Sequence, residues 1–223
     1  AVWSDAIIGE AALLDFDVLI GSPCGQGLRE RRYGDLFGNG VVDGLIYAGL
    51  YGVAEELIDA NRGGFPIVVL DEPQPRLQFA DTVLVDNFGG ARLAVDHLLG
   101  LGHTRIAYIG GPENLASVRE RWKGYSTALE SAGIAEDEDL VSFGSYTEET
   151  GVYGLQKLMN MDRPPTAIFA GSDFIALGLL YGARSMNIDI PRQLSIVSFD
   201  AIAFANLTRP RLSSVAQPIK EIA

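Results

Sequence analysis

Arg121 and Ser117 stand four residues apart in SVRERWKGY, so a helix there places both on one face. A guanidinium in that position is a rigid, permanently charged fork, suited to paired hydroxyls or a carboxylate. The plain alternative is a surface arginine on an amphipathic helix. Ser117 can donate to the same ligand or merely cap the helix. Asp200 closes the apolar run LSIVSF, at a strand end of the kind where open α/β sheets receive ligands; an aspartate there also caps turns. Ser172-Asp173 follows the run AIFA and opens a helix, so one of the two is its cap. Tyr146 lies just past another strand, and its ring suits the C–H face of a sugar or a nucleobase. Asp71 ends PIVVL and either faces a ligand or forms the turn before Glu72-Pro73. Acid–base catalysis would need a positioned pair with separated pKa values, or a nucleophile with its base. No G-x-S-x-G elbow, Walker loop or H-E-x-x-H occurs, and neither His97 nor His103 stands at a predicted strand end with a partner. An enzyme is therefore the minor reading.

The elements that must carry these residues alternate between strand and helix. Residues 83–85 read as a strand. Ala91, Ala94, Val95, Leu98 and Leu99 form one helical stripe, with Arg92 and Asp96 four apart and Gly100 and Gly102 as the stop. Strand 105–109 follows, then a helix with Val118, Trp122, Tyr125 and Leu129 on its apolar face. Strands at 140–143, 167–170, 194–199 and 212–215 alternate with helices over 147–161 and through Ile175–Ala176–Leu179–Leu180–Ala183. Upstream, residues 1–14 read as the tail of a helix, 16–20 (FDVLI) as a buried strand, and 28–37 as a charged surface helix. The glycines of 21–27 lack phosphate-loop spacing and read as a plain connection. After the turn at Asn39-Gly40 come a strand at 43–48, a helix at 53–60, a strand at 66–70 and an irregular loop at 72–81. This rhythm predicts an α/β fold with parallel sheets covered by helices on both faces, its junction falling near residue 85.

Composition narrows the partners. The chain has 223 residues, 48% hydrophobic and 21% charged, as globular proteins do. Its net charge of −12 repels a phosphate backbone, so DNA binding by this chain itself is not expected. No apolar run approaches the roughly 20 residues a bilayer span requires. The single cysteine, Cys24, excludes an internal disulfide and fits a reducing, cytoplasmic setting. Neither a metal-ligand cluster nor a cofactor motif is present, and the start lacks a signal-peptide pattern.

Six stretches together resemble the lactose- and galactose-repressor (LacI/GalR) family of bacterial transcription regulators. They are VDN at 85–87, GGARLAVDHLLGLGHTRIAYIGGP at 89–112, RWKGY at 121–125, GSDFIALGLL at 171–180, IPRQLSIVSFD at 190–200 and RPRLSSVAQP at 209–218. The resemblance implies a periplasmic-binding-protein-like fold of two similar subdomains with the effector between them. Residues 1–85 would form the first, lacking its first strand, and 86–216 the second; 217–223 would be a truncated return crossing. A DNA-reading helix-turn-helix would precede the chain, and a further helix and strands would follow it. The family's arginine in RxxGY contacts effector, which implies that role for Arg121. The same comparison implies effector contacts for Asp200, for Ser172 (leaving Asp173 as cap) and for Tyr146 as a stacking ring. Gln217, in a crossing segment, is a hinge residue or a ligand donor. Ser198 and Ala201 depart from a usual glycine and a usual polar residue. The expected effector is a sugar or sugar derivative that shifts the orientation of the two lobes in a homodimer of a repressor. A periplasmic sugar-binding transport protein is the alternative. Replacing Arg121 with alanine is expected to abolish binding and leave the unliganded fold intact.

Overall fold

The computed structural model describes residues 2–21, 40–50 and 52–223. It divides into two units, Ala1–Val85 with Pro218–Ala223, and Asp86–Gln217. The expected helix at 28–37, the connection holding Cys24, and Asn39 lie outside the described residues. No helix among the described residues is long and apolar enough to cross a membrane.

In the first unit, helix α1 (Val2–Leu13) precedes β1 (Leu45–Tyr47), α2 (Glu55–Arg62), β2 (Ile67–Leu70) and β3 (Asp81–Val83). The three strands are parallel in the order β1-β2-β3, with Leu45 opposite Ile67 and Val68 opposite Asp81. Helix α2 carries Glu55 and Glu56 in its first turn and Arg62 in its last, matching its dipole at both ends. Its apolar Leu57 and Ile58 pack with Val53, Ile67, Val69 and Leu77 into a small core. The irregular loop after β2 is tied down: Gln74 Nε2 donates to the Gly49 carbonyl at 2.9 Å, and the Phe79 amide to Asn61 Oδ1 at 3.0 Å.

Two expectations fail in this unit. Residues 16–20 form no strand, and Phe16, Leu19 and Ile20 are exposed. An apolar run becomes a strand only through a ladder, and no described strand pairs with it. The expected strand at 83–85 lies two residues earlier, because pairing with β2 sets its register. Leu70↔Val83 is the last rung before β2 leaves the sheet at Asp71, whose φ is +68°.

The second unit runs α3 (Asn87–Gly100), β4 (Ile106–Gly110), α4 (Ala116–Ser131), β5 (Val141–Phe143), α5 (Glu148–Met159), β6 (Ala167–Ala170), α6 (Asp173–Ser185), β7 (Ser195–Asp200) and β8 (Ser213–Ala216). All five strands are parallel, in the order β5-β4-β6-β7-β8. β4 and β6 are buried at every position, which is why they read as continuous apolar runs rather than as alternation. On one side Ile109, Ile168, Leu155, Leu158, Ile175 and Leu179 form a core, each side chain stabilising by roughly 1.5–3 kcal/mol. On α3, Arg92 makes no ion pair with the exposed Asp96; its Nε is buried instead. Most useful for function is the strand order. The chain leaves β4 for β5 on one flank, then returns to place β6 on the other. In open α/β sheets a reversal of this kind is where ligands are received, here at the carboxyl ends of β4 and β6.

Candidate functional site

The residues at these strand ends converge on one guanidinium. Arg121, on the second turn of α4, is 3% exposed. Its Nε donates to Asn87 Oδ1 at 2.8 Å and its Nη1 to the Gly171 carbonyl at 2.5 Å, just past β6. Its guanidinium carbon lies 3.8 Å from the centroid of the Phe199 ring, a cation–π contact of roughly 0.5–2 kcal/mol. Asp200 Oδ1 stands 3.6 Å from Nη1, an ion pair beyond hydrogen-bond length. Asp86 caps α3 by accepting from the Gly89 amide at 2.7 Å, which places Asn87 in the first turn to hold Arg121.

Asp200 in turn accepts from Gln217 Nε2 at 2.8 Å, while the Gln217 Oε1 is buried with no hydrogen-bond partner among the described residues. Asp200 and the following Ala201 have φ of +107° and +51°. Non-glycine residues in such conformations cost on the order of 1–3 kcal/mol each and persist only where neighbours hold them. Tyr146 lies half-buried over Gly111 at the end of β4, so close that a β-carbon on Gly111 would stand 2.4 Å from its ring. Beneath them Tyr108 packs against Tyr125, Phe143 and Phe169. Burial pushes its hydroxyl far above the ordinary phenol range, with Arg121 pulling it back and Tyr146 adding to the rise, so the group stays protonated.

The sequence pattern of the periplasmic binding protein-like domain matches residues 95–223. A regulatory protein of the LacI family from Chloroflexus aggregans is 28% identical, with a TM-score of 0.87 over 99% of this chain and 79% of that one. The chain belongs to the periplasmic-binding-protein-like domains of the LacI family. A structure of the transcriptional regulator CelR in complex with cellobiose is 29% identical, with a TM-score of 0.88 over 99% of this chain and 68% of that one. The transcriptional repressor CytR of Escherichia coli K12 is 36% identical over 205 residues. The match takes in 92% of this chain and 60% of CytR, so the chain spans less than two thirds of that relative's length.

Within this LacI-family domain, Arg121, Asp200 and Gln217 are brought together as a connected polar group, and Arg121 also reaches the carbonyl of Gly171, the residue before Ser172. Ser117 is buried in the first turn of α4; the helix cap is Leu115, so Ser117 is no cap. The expected capping role of Asp173 is also corrected. Ser172, in the extended conformation of a cap, accepts from the Ile175 amide at 3.3 Å, whereas Asp173 is the first helical residue and bonds elsewhere. Asp71 lies in the first unit, past β2, where its amide donates to the Val83 carbonyl. His103 has partners that no local pattern announced: Nδ1 lies 2.9 Å from Thr166 Oγ1 and Nε2 3.0 Å from Ser195 Oγ, residues 63 and 92 positions away. Both mark the amino ends of β6 and β7, at the far end of the strands from Gly171 and Asp200. Asn87, Phe199 and Tyr108 were missed as site residues. Asn87 alone left a trace, standing just after a capping aspartate.

Proposed function

We propose that this domain is the effector-sensing part of a LacI-type transcription repressor and binds a small sugar-like molecule at the carboxyl ends of β4, β6 and β7. The observation carrying this reading is the Arg121–Asp200–Gln217 group with the buried, unbonded Gln217 Oε1. A buried acceptor left without a donor costs about 1–3 kcal/mol, which a ligand hydroxyl would recover. Arg121 and Ser172 supply donors, Asp200 and Gln217 acceptors, Ser117 a further hydroxyl, and Tyr146 a ring for a C–H face. That pattern fits neighbouring hydroxyls better than a phosphate, which the Asp200 carboxylate would repel. The cellobiose complex of CelR supports the same ligand class.

DNA contact belongs, in this reading, to a helix-turn-helix segment of the full protein, since the net charge of −12 opposes direct binding. The ligand acts by favouring one conformation of the chain and shifting the population toward it, in the cytoplasm, where the DNA is. A thermal-shift panel of cellobiose, ribose and other sugars, sugar phosphates and nucleobases tests it. A sugar at 100 times its Kd raises stability by roughly 2.7 kcal/mol, and Asp200→Asn removes that gain. A flat response to every sugar, an equal shift in Asp200→Asn, or chemical conversion of the bound sugar overturns the reading.

The same proposal includes a homodimer. On α6, Phe174 and Tyr181 are seven residues apart and exposed; Phe174 stacks edge-on with Phe204 at 5.3 Å, near the exposed Leu207. An apolar patch of this kind marks a protein contact, and a second copy of the chain presents the same patch. Sedimentation of the Phe174→Ser, Tyr181→Ser double variant should show monomer where the parent chain shows dimer; a monomeric parent chain refutes the dimer.

A further inference from the structure

We infer that Asp173 is the positioning residue of this site: its buried carboxylate holds the turn at Asp200–Ala201 in its left-handed form and so fixes where the Asp200 carboxylate points. The inference rests on the reading that Asp200 faces the ligand, but its test does not.

Asp173 is fully buried and stands first in α6, where a helix amino terminus favours negative charge. The helix does not need it as a cap, since Ser172 serves. Its oxygens look instead toward β7 and β8. Oδ1 accepts from Ser198 Oγ at 2.5 Å and from Ser214 Oγ at 2.7 Å. Those two serines are directly opposite in the β7–β8 register, so one carboxylate oxygen spans the pair. Oδ2 accepts from the Ile202 amide at 2.7 Å. Ser214 Oγ, its own proton committed to Asp173, accepts from the Ala201 amide at 2.9 Å. Both amides that follow Asp200 are thus tied to one buried carboxylate, directly or through a single hydroxyl. Bonds to a charged acceptor are short and strong, as these are. The turn they secure contains the two non-glycine residues at φ +107° and +51°, a conformation that the strand and loop would not keep unaided. Ser198 and Ala201 both sit in this arrangement: one as a donor to Asp173, the other held through Ser214.

The test is amide hydrogen exchange by NMR on the unliganded 223-residue chain. Asp173→Asn keeps the shape but cannot accept on both oxygens. Protection of Ala201 and Ile202 should fall at least tenfold, with Phe169 in β6 unchanged, and the side-chain amide resonance of Gln217 should move as Asp200 turns away. Ser214→Ala should release Ala201, and Ser214→Thr, which keeps the hydroxyl, should restore it; this pair decides the matter if Asp173→Asn fails to fold. Unchanged exchange at Ala201 and Ile202, or equal loss at Phe169, overturns the inference. If these variants free the turn while Asp200→Asn still binds sugar, the site reading fails and the positioning role stands.

Discussion

Arg121→Ala should abolish sugar binding and also lower the stability of the domain by about 3–5 kcal/mol, the range for breaking a buried charged pair from one side. The sequence alone suggests a removable ligand contact. The structure gives Arg121 a second duty, because its guanidinium is almost fully covered and bonded on two edges. Truncation leaves Asn87 Oδ1 and the Gly171 carbonyl without their donor, each an acceptor worth about 1–3 kcal/mol when buried and unsatisfied. It also strips Asp200 of its counter-charge and Phe199 of the cation above its ring. Arg121→Lys separates the two duties. An ammonium keeps the charge near Asp200 but cannot serve Asn87 and Gly171 with one planar fork. It should therefore be less destabilised than the alanine variant, losing about 1.5–3 kcal/mol by the ordinary value of a hydrogen bond to a charged group, and still bind sugar poorly. Urea unfolding of both variants, with and without ligand, checks this. An alanine variant within about 0.5 kcal/mol of the parent chain, the spread of ordinary surface substitutions, would mean that Arg121 is not part of the framework.

The same residue shows what a sequence discloses and what it withholds. The helix bearing Arg121 and the strand ending at Asp200 are both written in apolar residues: the stripe from Val118 to Leu129 announces the helix, and the strand read at 194–199 runs Ser195–Asp200. That reading also put both side chains at element ends facing a common region, and they lie 3.6 Å apart. The partners that fix them were not legible. A bond to the Gly171 carbonyl leaves no residue type to recognise, since every residue has a carbonyl. Asp173, Ser198 and Ser214 are spread over 41 positions and meet only once β7 and β8 have paired. Locally, an aspartate after a serine at a helix start reads as one of two caps, and nothing short-range says which. Segment 16–20 failed in the opposite direction. Its apolar pattern was clear, but a strand is made by the neighbour whose backbone it meets.

Gly178→Ala should have the largest effect on stability of any single methyl group added to this domain. Helices α5 and α6 touch through glycines: a β-carbon on Gly178 would stand 1.8 Å from the Glu148 carbonyl oxygen, and one on Gly151 would stand 2.0 Å from that of Ile175. Both obstacles are backbone, so no side chain can swing aside and the helices themselves must part. Reaching ordinary contact takes a separation of roughly 1.5 Å, at the well-packed density where even one methylene is felt. The residues that lose contact are Leu155, Leu158, Ile175 and Leu179, which form one side of the core over β4 and β6. Overpacking of this kind costs about 1–3 kcal/mol when side chains can adjust; rigid backbone places Gly178→Ala at or above the top of that range. Against a typical domain stability of about 5–15 kcal/mol, this is enough to unfold a measurable fraction at 37 °C. Gly100→Ala, at the end of α3 with nothing within 4 Å of its β-carbon, is the matched control and should be neutral or stabilising by up to about 1 kcal/mol. Urea unfolding followed by far-UV circular dichroism compares the two. If Gly178→Ala matched Gly100→Ala, close backbone packing between α5 and α6 could not be what holds that side of the core.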